Sequence, residues 1–140
     1  MALSSSVGNR LEIGISPREI VPLRILLVED DVFFMRIVSA LLSRNEGPVD
    51  AVFSAAKGLD LIRHQAYDIL ITDLMMEGFN GADLIRVSLD EQLIDRKHIL
   101  VMTAEQKSSP EYQWIREQGI HVLPKPFTMP EFVAALTTVS

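Results

Sequence analysis

Four short apolar runs in this chain each end on residues suited to handling a metal ion or a phosphoryl group. Arg24–Val28 (RILLV) runs into Glu29, Asp30 and Asp31, and Asp68–Thr72 (DILIT) ends on Asp73. His98–Met102 (HILVM) ends on Thr103, and His121–Leu123 (HVL) runs into Pro124, Lys125 and Pro126. Carboxylates brought within a few ångströms disfavour each other's ionisation. A hard divalent cation resolves that conflict; Mg2+ takes oxygen ligands in octahedral geometry and keeps several waters. A threonine hydroxyl donates to a phosphoryl oxygen, and a lysine is a mobile point charge suited to phosphate. Each residue alone has an ordinary explanation: an acid caps a helix, a threonine fills a strand, a lysine faces water. Capping does not explain Glu29 and Asp30 together, although it is the favoured reading of Asp31, directly before Val32. The prolines flanking Lys125 stiffen the loop that aims it, and Lys125-Pro126 is a candidate cis peptide, a form largely confined to X-Pro bonds.

These endings converge only if the runs are parallel strands of one sheet. Short β-branched and leucine-rich runs separated by helical patterns read as buried parallel strands. Strands are expected at about Arg24–Val28, Val49–Phe53, Tyr67–Thr72, His98–Met102 and, shorter, at His121–Leu123, where Pro124 cannot donate to a ladder. The first helix spans about Val32–Arg44 and is stopped by Asn45-Glu46-Gly47-Pro48. Ser54 caps a second helix reaching about Gln65. A third runs from near Gly81 to near Asp90. Ser109-Pro110-Glu111 opens a fourth, which Gly119 closes, and Thr128-Met129-Pro130-Glu131 is a capping box for a fifth. The alternation predicts an α/β fold: a doubly wound five-stranded parallel sheet with right-handed crossovers and helices on both faces. In such sheets ligands bind outside the carboxyl ends of the strands.

The 140 residues fit one domain with a sizeable core. Met1–Pro22 reads as an N-terminal extension, partly disordered, with an alternation at Leu11, Ile13 and Ile15 that suits a short strand or docking segment. Residues 23–140 are the folded domain. The extension has no apolar core or small-residue cleavage site of a signal peptide. The absence of cysteine excludes disulfides, a thiol nucleophile and cysteine zinc sites. His64, His98 and His121 show no metal-ligand spacing. A net charge of −6 without a basic cluster argues against direct nucleic-acid binding, and no apolar stretch is as long as a membrane span. A cytoplasmic location is expected.

In their order and spacing these segments resemble a response-regulator receiver domain of the CheY-like family. The resemblance rests on Ile25–Asp31, on Ile69–Met76 with Gly81, on Val101-Met102-Thr103-Ala104, and on Lys125-Pro126-Phe127, and it covers roughly Leu23 to the end of the chain. It implies a strand order of 2-1-3-4-5. It also implies an apparently stand-alone response regulator of two-component signalling, a phosphoacceptor rather than an enzyme in its own right. Asp73 would accept a phosphoryl group from a phosphohistidine of a sensor histidine kinase or histidine phosphotransfer protein. Asp30, Asp73 and the backbone carbonyl of Met75 would bind Mg2+, with Glu29 acting mostly through water. Lys125 would contact the phosphoryl group, and Thr103, followed by Ala104, would move to donate to it. The added charge, roughly −1.5 to −2, would bias the loop Thr103–Ser109 and reshape the surface of the fourth helix, fifth strand and fifth helix. That surface would face an unidentified downstream effector protein or form a homodimer.

Two positions depart from the family. Val122 stands where an aromatic residue often swings inward with the threonine, which points readout toward Tyr112 or Trp114. Glu77 replaces a common proline, leaving residues 75–80 without that restraint. Met75 and Glu105 flank the site entrance and by analogy tune hydrolysis of the phospho-aspartate. These departures leave room for a receiver-shaped scaffold that docks partners without phosphorylation; the complete set of Glu29, Asp30, Asp73, Thr103 and Lys125 argues against it. An Asp-nucleophile phosphohydrolase would want Asp-x-Asp after the first strand, and a flavodoxin-like binder a Ser/Thr/Gly-rich loop. Asp31-Val32-Phe33-Phe34 supplies neither.

Overall fold

The computed structural model describes residues 22–140; the alternation at Leu11, Ile13 and Ile15 and the rest of 1–21 lie outside the described residues. Five strands alternate with five helices: β1 Ile25–Val28, α1 Val32–Leu41, β2 Val49–Val52, α2 Ala55–His64, β3 Ile69–Asp73, α3 Gly81–Asp90, β4 Ile99–Thr103, α4 Pro110–Glu117, β5 His121–Pro124 and α5 Met129–Val139. The sheet is parallel with the order β2-β1-β3-β4-β5, as expected. Among the described residues no helix is long and apolar enough to cross a membrane.

Strand periodicity divides the core in two. Leu26, Val28, Leu70, Ile99 and Val101 pack on one face with Ala55 and Ile62 of α2, Leu84 and Ile85 of α3, and Tyr112 and Ile115 of α4. Ile25, Leu27, Ile69, Ile71, Leu100 and Met102 pack on the other with Met35 and Val38 of α1 and Phe132, Ala135 and Val139 of α5. The three central strands are therefore buried along their length up to Asp73, apolar but for Thr72, Asp73 and Thr103 near their carboxyl ends, the pattern of strands covered on both sides. The split also places α1 beside α5, which matters for the site.

Several boundaries move by small amounts for identifiable reasons. The first helix stops at Leu41 rather than Arg44: Ser43 Oγ bonds the Ala40 carbonyl at 2.7 Å, and the Asn45 side chain bonds the carbonyls of Leu23 and Gly47. Those bonds draw the chain across to the start of β1, where a Cβ on Gly47 would overlap the Leu23 carbonyl oxygen. His98 belongs to a 3-10 turn, Arg96–His98, so the fourth strand starts at Ile99. Pro124 joins β5 because that strand is an edge, and the ladder bond beyond it is made by the Lys125 N–H to Thr103 O at 2.8 Å. Asp73 is the last residue of β3, paired with Met102, rather than the residue beyond the strand.

The helix following Asp73 is seated on it. Asn80 and Asp83 form a reciprocal capping box at 3.0 Å in both directions, which starts α3 at Gly81. A Cβ on Gly81 would overlap the Asp73 carbonyl oxygen. Gly81→Ala is expected to cost about 2–3 kcal/mol through overpacking, a fall in Tm of roughly 6–12 °C, measured by thermal unfolding; an unchanged Tm would contradict this packing.

Candidate functional site

Parallel pairing brings the strand endings together. Val28 pairs with Thr72 across β1 and β3, so Glu29 and Asp73 emerge side by side at the carboxyl edge. Glu29, Asp30 and Asp73 each present an oxygen, all within 4.8 Å of one another. The three differ in setting. Glu29 is fully buried, Asp73 half-buried and Asp30 exposed.

Lys125 reaches this cluster from the loop after β5. Its Nζ donates to Glu29 Oε1 at 2.8 Å and to Asp73 Oδ2 at 3.2 Å, with only 9% of its side chain exposed. Lys125-Pro126 is a cis peptide. The second oxygen of each paired acid is also bonded: Glu29 Oε2 accepts the Asp31 N–H at 3.0 Å, and Asp73 Oδ1 accepts the Leu74 N–H at 2.7 Å. Asp31 itself caps α1 through the N–H groups of Phe33 and Phe34, the role expected of it.

Burial dominates the electrostatics. It pushes the Glu29 carboxyl above its ordinary value, against the opposing effects of the Lys125 and Asp31 hydrogen bonds. Burial likewise raises Asp73, although the Lys125 charge pulls the other way. For Lys125, burial works against the ammonium, but the Glu29 hydrogen bond and the Asp73 charge outweigh it and the net shift is upward. One ammonium thus faces three carboxylates, and the cluster disfavours its own full ionisation. Both Glu29 oxygens already have partners, whereas Asp30 is open to solvent. The donor set is all oxygen, lies at one edge and carries two formal negative charges in excess, which fits a hard divalent cation.

Thr103 ends β4, paired with Pro124 just before Lys125, and is 2% exposed. Its hydroxyl oxygen accepts the Glu105 N–H at 2.8 Å, so it ties down the start of the loop that follows, Ala104 being exposed. Met75 has an exposed side chain, and Met76 is buried in the core. That burial and the α3 capping box anchor residues 75–80 even with Glu77 in place of a proline. Val122 is half-buried against the core. Tyr112 is buried, and the Trp114 ring carries the Arg86 guanidinium 4.5 Å from its centroid, so both aromatics pack the α4 face.

One neighbour was not legible as part of the site. The Phe34 ring lies beneath Lys125, its centroid 4.2 Å from Nζ. Phe34 reads in the sequence as one of several apolar residues in the first turn of α1. Only the placement of α1 beside the β5–α5 loop reveals the contact.

Over residues 25–137 the chain matches the family described as the response regulator receiver domain. Among curated relatives, the transcriptional regulatory protein QseB of Escherichia coli O157:H7 is 29% identical over 81% of this chain and 51% of its own length. Response regulator MprA of Mycobacterium sp. (strain KMS) is 30% identical over 82% of this chain and 49% of its own. The chain spans about half the length of these relatives. Among solved structures, chemotaxis protein CheY4 of Vibrio cholerae superposes with a TM-score of 0.70 at 23% identity, covering 86% of this chain and 100% of that one. The receiver domain of sensor histidine kinase PA1611 from Pseudomonas aeruginosa PAO1, solved with a magnesium ion coordinated in its active site cleft, superposes with a TM-score of 0.69 at 23% identity, covering 84% and 96%. These likenesses concern the fold, while the family match takes in all five strands and the residues at their carboxyl ends. The chain belongs to the response regulator receiver domains of two-component signalling.

Proposed function

We propose that this receiver takes a phosphoryl group from a phosphohistidine onto Asp73 in a Mg2+-dependent step, and that the product alters the loop Thr103–Ser109 and the α4-β5-α5 surface. The observation that carries the reading is the convergence of Glu29, Asp30, Asp73 and Lys125 at one strand edge. Asp30, Asp73 and the Met75 carbonyl would hold the metal. Glu29, with both oxygens bonded, would act through water. When bound, the metal would offset the excess negative charge and screen the incoming phosphoryl oxygens.

The chain's own residues supply the rest. Asp73 Oδ1 accepts the Leu74 N–H, and Oδ2, which accepts from Lys125, would attack phosphorus. The P–N bond of the donor breaks as the P–O bond forms, and the departing imidazole keeps the electron pair. Lys125, already beside Oδ2, would follow the negative charge onto the phosphoryl oxygens. Such transfers depend mainly on positioning and charge stabilisation. The Thr103 hydroxyl, whose oxygen accepts the Glu105 N–H, would move to donate its O–H to the phosphoryl group and would draw the start of the following loop with it. Val122 offers no large ring to swing inward, so the movement of residues 103–109 would itself be the readout. The partners are a sensor histidine kinase or histidine phosphotransfer protein and a downstream effector. Residues 23–140 would form the receiver unit. The competing reading, a scaffold freed from chemistry, leaves the buried, paired Glu29 and Lys125 without a purpose.

Acetyl phosphate with Mg2+ should label the wild-type chain, while Asp73→Asn or chelation of the metal abolishes labelling. Undiminished labelling of Asp73→Asn would remove Asp73 from its role. Thr103→Ala should still accept the label but lose the phosphorylation-dependent change in amide exchange across residues 104–109. A second expectation concerns stability without metal. Asp73 has a raised pKa in the fold, so its contribution is fully present below its unfolded pKa and is lost as pH rises through the folded value. In EDTA at neutral pH, Asp73→Asn should therefore be more stable than wild type, read as a higher Tm in thermal unfolding. The gain should vanish as pH falls below the folded pKa, and a lower Tm for the variant at neutral pH would contradict the charge balance described.

A further inference from the structure

The geometry points to Phe34 as a positioning residue for Lys125, acting through the face of its ring; this rests on the phosphoacceptor reading of Asp73. The Lys125 ammonium has three close neighbours: Glu29 Oε1 at 2.8 Å, Asp73 Oδ2 at 3.2 Å and the Phe34 centroid at 4.2 Å. The last distance is well inside the range at which a ring quadrupole attracts a cation. An ammonium carries three N–H groups. Two are used on carboxylates, and the same ammonium lies over the face of the Phe34 ring.

The kind of partner matters. A third carboxylate there would neutralise the lysine, and an aliphatic side chain would leave a desolvated N–H uncompensated. An aromatic face attracts the cation while carrying no net charge, so the full positive charge stays available to the phosphoryl oxygens. The ring is also a partner that the reaction does not change. Phosphorylating Asp73 to the acyl phosphate would remove its carboxylate charge and replace it with charge farther out, whereas Phe34 and Glu29 would hold Nζ in place through the exchange.

Both sides of this contact are tied down. The Phe34 N–H is bonded to the Asp31 cap at 3.2 Å, which sets the first turn of α1. Its ring meets Phe127 at 6.1 Å between centroids, and Phe127 stacks on Phe132 at 5.7 Å and 24°. Phe132 is 1% exposed. Phe127 lies two residues after Lys125, so the loop that carries the lysine and the ring beneath it share one aromatic anchor.

The test uses the full chain with 4-fluoro-, 3,5-difluoro- and 3,4,5-trifluorophenylalanine at position 34, which weaken the ring quadrupole at nearly constant shape. With Mg2+ and saturating acetyl phosphate, the phosphorylation rate should fall stepwise, reaching about three- to ten-fold at the trifluoro variant. The half-saturating donor concentration and the Tm should stay close to wild type. Independently of activity, the Lys125 ε-methylene protons should show an upfield ring-current shift by NMR in the unphosphorylated protein, and Phe34→Leu should remove it. A labelled wild type with a flat rate across the fluorinated series would overturn the proposal, as would a lysine with no ring-current shift. A wild type that takes no label would instead overturn the phosphoacceptor reading, and the NMR shift would still decide whether ring and lysine meet.

Discussion

A single ammonium group bonded to two of three clustered carboxylates is the constraint around which the carboxyl edge of this sheet is arranged. Lys125 bonds Glu29 across 96 residues of sequence and Asp73 across 52. It therefore ties the ends of β1 and β3 to the loop beyond β5 and spans the sheet from its centre to its edge. The pairing leaves the cluster short of positive charge, and burial raises the pKa of both partnered acids. A site in this condition is costly for the folded chain by itself and favourable for whatever brings positive charge to it, because desolvated like charges oppose each other's ionisation. Metal and phosphoryl group would arrive as complementary charges in a place where neither the acids nor the lysine can relax.

The surrounding structure keeps that strip of charge in position without adding to it. Gly81 lets α3 press against the Asp73 backbone, and the Leu74 N–H fixes one Asp73 oxygen. On the opposite face, α1 and α5 meet through Phe34, Phe127 and Phe132 beneath the lysine. Thr103 holds the start of the following loop by accepting the Glu105 N–H, which leaves its own O–H to donate to a phosphoryl oxygen. In the proposed mechanism, movement of Thr103 toward the phosphoryl group would carry that bonded loop with it. The proposed readout would not depend on a swinging aromatic, since Val122 occupies the relevant place.

The strands and the acids were legible in the sequence because both follow from local rules. Apolar runs bounded by caps and turns define buried parallel strands, and a parallel sheet brings their carboxyl ends to one edge. Glu29, Asp30, Asp73, Thr103 and Lys125 were found by their position at those ends. The less legible features depend on contacts between distant segments. The end of α1 at Leu41 reflects the Asn45 side chain reaching Leu23, and Gly47 serves a close approach there rather than a helix stop. Pro124 is accommodated because its strand is an edge, a fact of topology rather than of the dipeptide. Phe34 could not be distinguished from Phe33 by composition; one ring lies against Lys125, and the other is 68% exposed.

The most direct test is to identify the phosphorylated atom. Acyl phosphates are reduced by borohydride to the corresponding alcohol, so the chain treated with a phosphodonor and Mg2+, then with borohydride, should carry homoserine at position 73 and at no other aspartate. Reduction at Asp30 or Asp31, or a stable phosphate with no reducible acyl group anywhere in the chain, would contradict the assignment of Asp73 as the phosphoacceptor.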